Sequence, residues 1–428
     1  MRSDVTRPSS MSSRTDQLSK TMFFLSLAFL VVFLAFAYGV AVGWKVWPHG
    51  HLRVALDHAR SLHMAGKWQP RDRFIWAPPG AGRERITIYR PESLEAGYRA
   101  IMGWDGARYG IWLIDAQGQD AHYWPIEYRL LDPDGPATEE PHGMKLLEDG
   151  SVLVNFDRGN ALARLDECGQ PVWVKRGIFH HSIDRAEDGT FWTWRADHTA
   201  YGPYQYLVNF DAEDGQTVNE YSLIDDFVDV SADQRMIFGI PEGYDYSLQS
   251  DDVFHPNDIE PLYSSMADAF PAFRAGDLLV SFRSINLVAV LAPNERKVRW
   301  WSHGPWRAQH DPDFTSDGKI IVYNNNRDRG ISNIITVDPT SQHSEVAYAD
   351  GEVRYYSGTA GKHQRLPHGG ILIVVPDEGR VLELSSAGDL VLEFNNRWSE
   401  KVNAYIVNAA WVPMTFFDDQ PACHAVVR

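Results

Sequence analysis

Residues 112–124 read WLIDAQGQDAHYW, an apolar strand that ends at Asp115, a turn with Gly118, and a second strand that ends in aromatic residues. This hairpin pattern, with Asp, Gly, Asn or Pro in the turn, returns five times further along the chain. The later copies begin at Leu162, Leu207, Ala289, Ile334 and Val381. Because hairpins that recur at roughly 40 to 80 residues are typical of propeller blades, the sequence predicts a mainly β chain, with a six-bladed β-propeller over residues 100–415.

A second repeated unit precedes the hairpins. HGMKLLEDGSVLVNF begins at His142, HSIDRAEDGTFWTW at His181 and HDPDFTSDGKIIVYNN at His310. In each copy an Asp-Gly pair lies seven residues after the histidine and is followed by strand-forming residues. Since Asp-Gly is typical of a tight hairpin turn, each histidine is expected at the start of its blade's innermost strand. His255 opens the corresponding unit of another blade, and Gly361 holds this position in the unit that precedes ILIVV.

Innermost strands line the central channel of a propeller, so His142, His181, His255 and His310 are expected to converge on one opening. Three interpretations of these histidines stay open. Each imidazole could cap a turn and fill the tapering channel. The group could bind a metal ion. One histidine could act as a nucleophile while the others, with an arginine, hold an oxyanion.

Charged residues beside these histidines bear on the choice. Asp258, Asp311 and Asp313 could complete a metal site. Arg283 and Arg307 favour binding an anion instead, because nearby cations attract it. We therefore predict no metal and no cofactor at this opening.

The N-terminal region predicts a membrane anchor. Residues 22–43 form an uncharged apolar run of 22 residues, which is long enough to cross a bilayer. More basic than acidic residues precede this run, which favours a cytoplasmic segment 1–21 and an extracytoplasmic remainder. A cleaved signal peptide is the alternative, because Ala35-Phe36-Ala37 resembles a cleavage site. The apolar run continues past that site, so we expect a single-pass protein of the inner membrane with its propeller in the periplasm.

The segments that flank the propeller carry weaker patterns. Residues 44–99 are expected to form a helical stalk and linker, with helical apolar spacing at 51–67 and a Pro- and Gly-rich stretch at 69–82. The stretch NAYIVNAAWVP at 403–413 reads as a last strand that closes the ring beside the first blade. Residues 416–428 are interpreted as a C-terminal tail.

Composition excludes some classes of protein and leaves one question open. The formal net charge of -17 disfavours nucleic-acid binding, which needs a basic surface. Cys168 and Cys423 lack the spacing of zinc ligands. They could form one long-range disulfide in an oxidising compartment or remain two buried thiols.

Four segments resemble the site-bearing segments of the bacterial arylsulfotransferases, which transfer sulfuryl groups without 3′-phosphoadenylyl sulfate (PAPS). These segments are HHSIDRAEDG at His180, HPND at His255, LLVSFRSIN around Arg283 and AQHDPDFTSDGKIIVYNN at Ala308. The resemblance extends from Gly103 to Trp398. The chain departs from the family at 324–326, where three asparagines replace Asp-Asn-Gly.

The resemblance implies a ping-pong transfer from an aryl sulfate to a phenol, through a sulfohistidine. By position in the motif, the nucleophile is His310. Oxyanion binding and proton transfer are implied for His181, His255 and Arg283. We further predict, from their positions beside these residues, that Asn257, His180 and His142 bind substrate. A catalytically idle, membrane-anchored propeller that binds a glycan or protein of the cell envelope is the alternative. Whether the chain forms a homodimer or has an envelope protein partner stays open.

Overall fold

A computed structural model describes residues 11–43, 73–79, 81–82, 84–248, 252–348 and 353–423. The chain divides into two compact units, Met1–Arg60 and Ser61–Arg428. The predicted stalk helix at 51–67 lies outside the described residues.

The N-terminal unit contains helix α1, Met11–Gly43. Within it, Lys20–Val40 is a 21-residue stretch with a mean hydropathy of 2.5, and none of its hydrophobic window is buried. Exposed Phe and Leu side chains cannot be stabilised by a protein core, whereas a bilayer or a translocation channel would accommodate them. By length and composition this helix is therefore able to cross a membrane.

The described residues of the second unit form twenty-eight short strands, numbered along the chain. The first nine are β1 Phe74–Trp76, β2 Ile86–Ile88, β3 Tyr98–Trp104, β4 Tyr109–Ile114, β5 Asp120–Ile126, β6 Pro141–Leu146, β7 Val152–Phe156, β8 Leu162–Leu165 and β9 Pro171–Lys175. The next eight are β10 Ile178–Arg185, β11 Phe191–Ala196, β12 Gln205–Phe210, β13 Thr217–Ser222, β14 Pro256–Pro261, β15 Leu278–Phe282, β16 Leu287–Ala292 and β17 Lys297–Ser302. The remaining eleven are β18 His310–Phe314, β19 Ile320–Asn324, β20 Asn333–Val337, β21 Ser344–Ala347, β22 Lys362–Arg365, β23 Ile371–Val375, β24 Arg380–Leu384, β25 Leu390–Asn395, β26 Arg397–Ser399, β27 Val402–Ala404 and β28 Ile406–Val412.

Only short helices interrupt these strands. The α-helical turns are Tyr128–Leu131, Ala232–Ile237 and Ser264–Ala267, with a π-helical turn at Ile224–Val228. The 3₁₀ turns are Pro91–Ser93, Tyr246–Leu248, Arg283–Ile285, Pro293–Glu295 and Pro376–Glu378.

The strands form six antiparallel blades, as predicted. Blade 1 has the order β28-β3-β4-β5, and blades 2 to 5 are β6-β7-β8-β9, β10-β11-β12-β13, β14-β15-β16-β17 and β18-β19-β20-β21. Blade 6 is β22-β23-β24-β25 with β2 added as a fifth strand, and β1, β27 and β26 form a small separate sheet. The innermost strands contact one another in the sequence β6, β10, β14, β18, β22, β28 and back to β6. The C-terminal strand therefore closes the ring inside blade 1, where residues 403–413 were predicted to lie.

The turns follow from local chemistry. Asp115 and Asp166 each accept two backbone N–H groups of their own turn, which fixes the hairpins of blades 1 and 2. Gly318, in the Asp-Gly turn of blade 5, has φ +79 and lies where an added Cβ would come within 2.5 Å of the carbonyl oxygen of Ala269. Both the left-handed backbone and the close approach require glycine at this position.

Apolar side chains from adjacent blades meet in six buried clusters, one for each pair of neighbouring blades. Ile321 and Tyr323 of blade 5, for example, pack with Ile371 and Ile373 of blade 6. Apolar side chains of the strands are buried between two neighbouring blades. Their burial therefore stabilises the ring as a whole and not each blade alone.

Two flanking segments differ from the sequence prediction. The β domain begins before residue 100, because β2 extends blade 6 and β3 starts at Tyr98. The C-terminal segment packs on the propeller as far as residue 423: Phe416 and Phe417 join the apolar cluster of blades 1 and 2. Cys168 and Cys423 form a disulfide. Of the two alternatives for these cysteines, the disulfide is therefore the one found, and it links the C-terminal tail to blade 2.

Candidate functional site

Four histidines occupy the same place in four blades. His142 lies in β6, His181 in β10 and His310 at the start of β18, and His255 directly precedes β14. The pairing of each inner strand with its neighbour is irregular at this point. A bulge re-aims the side chain beside it. We call these four residues the histidine layer.

The side chains of the histidine layer meet as the repeat predicted. The ring centroids of His142 and His181 are 4.1 Å apart, and those of His181 and His255 are 5.2 Å apart. Tyr201 stacks on His255 with its centroid at 5.2 Å. Nη1 of Arg283 lies 3.3 Å from Nδ1 and 3.4 Å from Nε2 of His255. Five side chains from blades 2, 3 and 4 thus line one opening.

His310 belongs to the same electrostatic environment. The charges of Arg283, His255 and His142 all act on its ring. Burial, and after it the Arg283 guanidinium, holds the pKa of His310 well below its usual range, although the hydrogen bond that its Nδ1 donates to Asn325 opposes this shift. The imidazole of His310 is therefore neutral at neutral pH.

The tautomer of His310 is fixed by its neighbours. Asn325 donates through Nδ2 to the carbonyl oxygens of Ser357, at 2.9 Å, and Ala360, so its Oδ1 must face the other way. That oxygen lies 2.7 Å from Nδ1 of His310, and the carbonyl oxygen of Ala308 lies 3.1 Å from the same nitrogen. Since both groups accept, Nδ1 carries the proton and Nε2 carries the lone pair.

A second series of hydrogen bonds fixes the tautomer of His181 in the same way. Gln205 donates to the carbonyl oxygens of Ala200 and Gly202, so its Oε1 accepts from Nε2 of His180 at 2.9 Å. Nδ1 of His180 must then accept from Nδ1 of His181, at 2.6 Å. The lone pair of neutral His181 is consequently on Nε2.

The imidazoles of His180 and His181 are difficult to protonate. Burial lowers the pKa of His180 to about 4. Burial also lowers the pKa of His181 well below its usual range, and the positive charges of His142, His180 and His255 lower it further. A bound anion would oppose this effect, because it favours the protonated form.

One carboxylate supports the layer from blade 2. Asp157 lies 3.2 Å from Nδ1 of His142 and accepts the Tyr201 hydroxyl at 2.6 Å. Burial raises the pKa of Asp157, but the hydrogen bond and charge of His142 outweigh burial and hold this pKa below its usual range. Asp157 therefore orients His142 and keeps Tyr201 over His255.

A second set of charged groups follows further along the same inner strands. Lys362 reaches Asp258 at 3.0 Å and Asp311 at 2.6 Å. His363 lies 3.1 Å from Asp311 through Nδ1 and 3.4 Å from Asp313 through Nε2. We call these five residues the acidic layer. Burial raises the pKa of Asp258 to about 7, although the charge of Lys362 opposes this shift.

Two of the predicted substrate-binding residues have other contacts. His180 is fully buried behind His181, and both of its ring nitrogens are bonded within the protein. Asn257 donates to the carbonyl oxygen of Gln309 at 2.8 Å, so it joins blade 4 to the residue before His310. Both residues therefore position catalytic candidates in the structure.

The sequence did not reveal four of the residues that shape the site. Asn325 and Gln205 fix tautomers, and Asp157 and Tyr201 complete the opening. Asn325 lies in the segment that departs from Asp-Asn-Gly at 324–326, and this departure was the available signal. The other three belong to no recurring motif.

The fold and site together define a six-bladed propeller whose channel opens on a ring of histidines beside one arginine. The chain matches the family model of the arylsulfotransferases (ASST) over residues 143–397. Because the match covers more than half of the chain, the chain belongs to this family, as the sequence motifs implied. No curated protein matches the chain.

Solved structures resemble the fold at low identity. A protein of unknown function from Bacteroides caccae is 13% identical, with a TM-score of 0.51 over 74% of this chain and 99% of that chain. Kuenenia stuttgartiensis hydrazine synthase is 12% identical, with a TM-score of 0.41 over 67% of this chain and 76% of that chain. Virginiamycin B lyase from Staphylococcus aureus is 11% identical, with a TM-score of 0.34 over 59% and 69%. The first likeness supports the fold alone.

Proposed function

We propose that this protein is a PAPS-independent sulfotransferase that moves a sulfuryl group from an aryl sulfate to a phenol through a sulfohistidine at His310. The observation that carries the proposal is the tautomer of His310. A neutral imidazole with Nδ1–H bonded and its lone pair on Nε2 is ready to attack sulfur without a separate base.

The first half-reaction balances with the groups present. Nε2 of His310 forms a bond to sulfur while the bond between sulfur and the aryl oxygen breaks, and the electron pair leaves with the phenolate. The ring becomes cationic, and the acceptors at Nδ1 stabilise this charge. The negative charge of the sulfate ester raises the pKa of His181, so its Nε2 takes up a proton from water as the ester binds and then gives that proton to the phenolate.

Arg283 and His255 are suited to hold the sulfuryl oxygens. These oxygens carry negative charge in the substrate and throughout the transfer, so a fixed guanidinium stabilises them without reorganisation. Asp252 bonds Nδ1 of His255, and a bound anion favours protonation of Nε2, which then donates to a sulfuryl oxygen. In the second half-reaction neutral His181 takes the proton of a phenol, whose oxygen attacks sulfur and releases His310.

The test is release of nitrophenol from nitrophenyl sulfate by the full chain, with phenol as acceptor. Phenol-dependent release is expected from the wild type and from His343→Asn, which changes an exposed histidine on a hairpin of blade 5. Release is expected to disappear in His310→Asn. Release by His310→Asn at the wild-type rate would exclude this residue as the nucleophile.

We propose that the propeller works on the periplasmic side of the inner membrane, anchored by α1. The apolar stretch Lys20–Val40 and the disulfide Cys168–Cys423 support this location, because disulfides persist in oxidising compartments. Alkylation of both cysteines only after reduction, in intact membranes, would be the expected result. Free thiols in freshly isolated protein would contradict it.

A further inference from the structure

The acidic layer contains a histidine, His363, whose ring is buried between carboxylates. His363 is 7% exposed, and its side chain is completely covered. Within the part of the chain that the structure describes, neither Nδ1 nor Nε2 of this ring makes a hydrogen bond. Leaving a buried polar atom unsatisfied is costly. Oxygens of Asp311 and Asp313 lie 3.1 and 3.4 Å from the two nitrogens without forming a hydrogen bond, so a ligand shared by the ring and these carboxylates would satisfy the ring.

The groups around His363 point to a cation. Asp311 and Asp313 face its two nitrogens, and one ligand atom from each of the three residues lies within 4.8 Å of the others. Ligands of a single ion are separated by about 3 Å, since each lies about 2 Å from the metal. The 3.1 Å between Nδ1 of His363 and Oδ2 of Asp311 fits this separation.

The carboxylates in and beside the acidic layer outnumber the ammonium groups that pair with them. Five carboxylates lie on adjoining inner strands, of which Asp258 and Asp311 are buried and the other three are half-buried. Two ammonium groups pair with three of the five: Lys362 with Asp258 and Asp311, and Lys145 with Asp184. Glu260 accepts the backbone N–H of Phe314, and Asp313 adjoins the ring of His363. Buried carboxylates are usually paired or bound to a metal, and a divalent cation would supply the missing charge.

The second candidate group in the channel lacks this deficit. His142, Asp157 and His181 also have ligand atoms within 4.8 Å of one another. There, however, Asp157 is bonded to His142 and Tyr201, and His181 is bonded to His180. Both histidines of that group therefore have a hydrogen-bonded ring nitrogen, whereas neither ring nitrogen of His363 is hydrogen-bonded to the described residues.

We propose that Asp311, Asp313 and His363 bind one divalent transition-metal ion in the propeller channel, beneath the histidine layer. One imidazole and two carboxylates suit manganese or zinc better than calcium or magnesium, which prefer oxygen ligands alone. The ion joins blade 5 to blade 6 and holds Asp311, the residue after His310. The site is separate from sulfuryl transfer, so its failure would leave the proposed function intact.

The experiment uses the full chain, purified in detergent, stripped with a chelator and titrated with Mn²⁺. The bound fraction is followed by electron paramagnetic resonance, with the metal content measured after dialysis. We expect one Mn²⁺ per chain, coupled to one histidine nitrogen, and an unfolding temperature that rises with Mn²⁺. His363→Gln and Asp313→Asn should lose this binding, and His142→Gln should keep it.

The outcomes separate the alternatives. Absence of bound Mn²⁺ and Zn²⁺ in the wild type would overturn the proposal and would leave an imidazolium between two carboxylates as the explanation. Loss of the ion in His142→Gln but not in His363→Gln would move the metal to the histidine layer. If the two acidic-layer variants do not fold, the test is the coupling between Mn²⁺ and a histidine nitrogen in the wild-type spectrum. A spectrum of bound Mn²⁺ that lacks this coupling would contradict the proposed site.

Discussion

The histidine layer and the acidic layer lie one after the other along the same inner strands, yet they differ in how their polar atoms are used. In the histidine layer, hydrogen bonds from outside the ring fix the tautomers of His181 and His310 and leave one nitrogen of each toward the opening. In the acidic layer, Lys362 bridges Asp258 and Asp311, and these two carboxylates and His363 are buried.

This difference indicates a division of work within one channel. Neutral, oriented imidazoles next to an arginine are suited to binding an anion and reacting with it. Buried ion pairs cannot reach a substrate, but they fix the relative positions of blades 4, 5 and 6. Substitutions in the histidine layer should therefore reduce sulfuryl transfer, and those in the acidic layer should reduce the stability of the folded protein.

The largest expected effect is on catalysis. His181→Gln removes the group that protonates the leaving phenolate, so kcat/KM should fall roughly 10²- to 10⁴-fold. The fall should be smaller with nitrophenyl sulfate than with a donor whose phenol is more basic, since a good leaving group needs less protonation. His343→Gln serves as the matched control, and equal losses for both donors would contradict a proton-transfer role.

The reciprocal test concerns the acidic layer. Lys362→Met leaves Asp258 and Asp311 without their cation, so the free energy of unfolding should fall by about 3 to 5 kcal/mol in urea titrations. Lys319→Met breaks an exposed pair with Glu345 and should cost less than about 1 kcal/mol. Similar losses in the two variants would show that the layer does not stabilise the ring.

A pH titration distinguishes the layers further. The pKa of His180 falls from its usual 6.5 to about 4 on folding, so between these values the unfolded chain binds the extra proton. Stability should consequently decrease as the pH falls from 6.5 to 4, by about 3 kcal/mol from this residue. In His180→Gln this part of the decrease should vanish, which urea unfolding at several pH values would measure. An unchanged slope would mean that His180 is not buried in its neutral form.

The smallest effect is expected where a residue acts only through another. Asn325→Ala removes the acceptor at Nδ1 of His310, so kcat should fall roughly 10- to 100-fold with little change in KM. Asn219→Ala, on an outer strand of blade 3, is the control. A rise in KM at constant kcat would show that Asn325 contacts substrate instead.

The parts of the fold that could be predicted are those with local signals. Each hairpin carries its own turn residues and alternating strands, so six blades and the equivalence of His142, His181 and His310 could be inferred from spacing. Strands β1 and β2 could not, because each has three residues and pairs with a strand more than three hundred residues away. Pairing at that distance leaves no local pattern.

The site shows the same limit. The histidines and Arg283 were found from repeats and family motifs, but the residues that orient them were not. Asn325 matters because two carbonyl oxygens of the loop before blade 6 fix its amide, and Gln205 matters because two turn carbonyls do the same. Such roles depend on which loop lies behind a side chain in three dimensions.

The central claim is that His310 carries the sulfuryl group, and mass measurement of trapped protein tests it most directly. The full chain is mixed with an aryl sulfate without acceptor, quenched at alkaline pH to preserve the N–S bond of a sulfohistidine, and digested. We predict that the peptide containing His310 gains the mass of one SO₃ group, that added phenol removes this mass, and that His310→Asn never acquires it. Phenol-dependent turnover without a labelled His310 peptide, or with the label on another residue, would contradict the account.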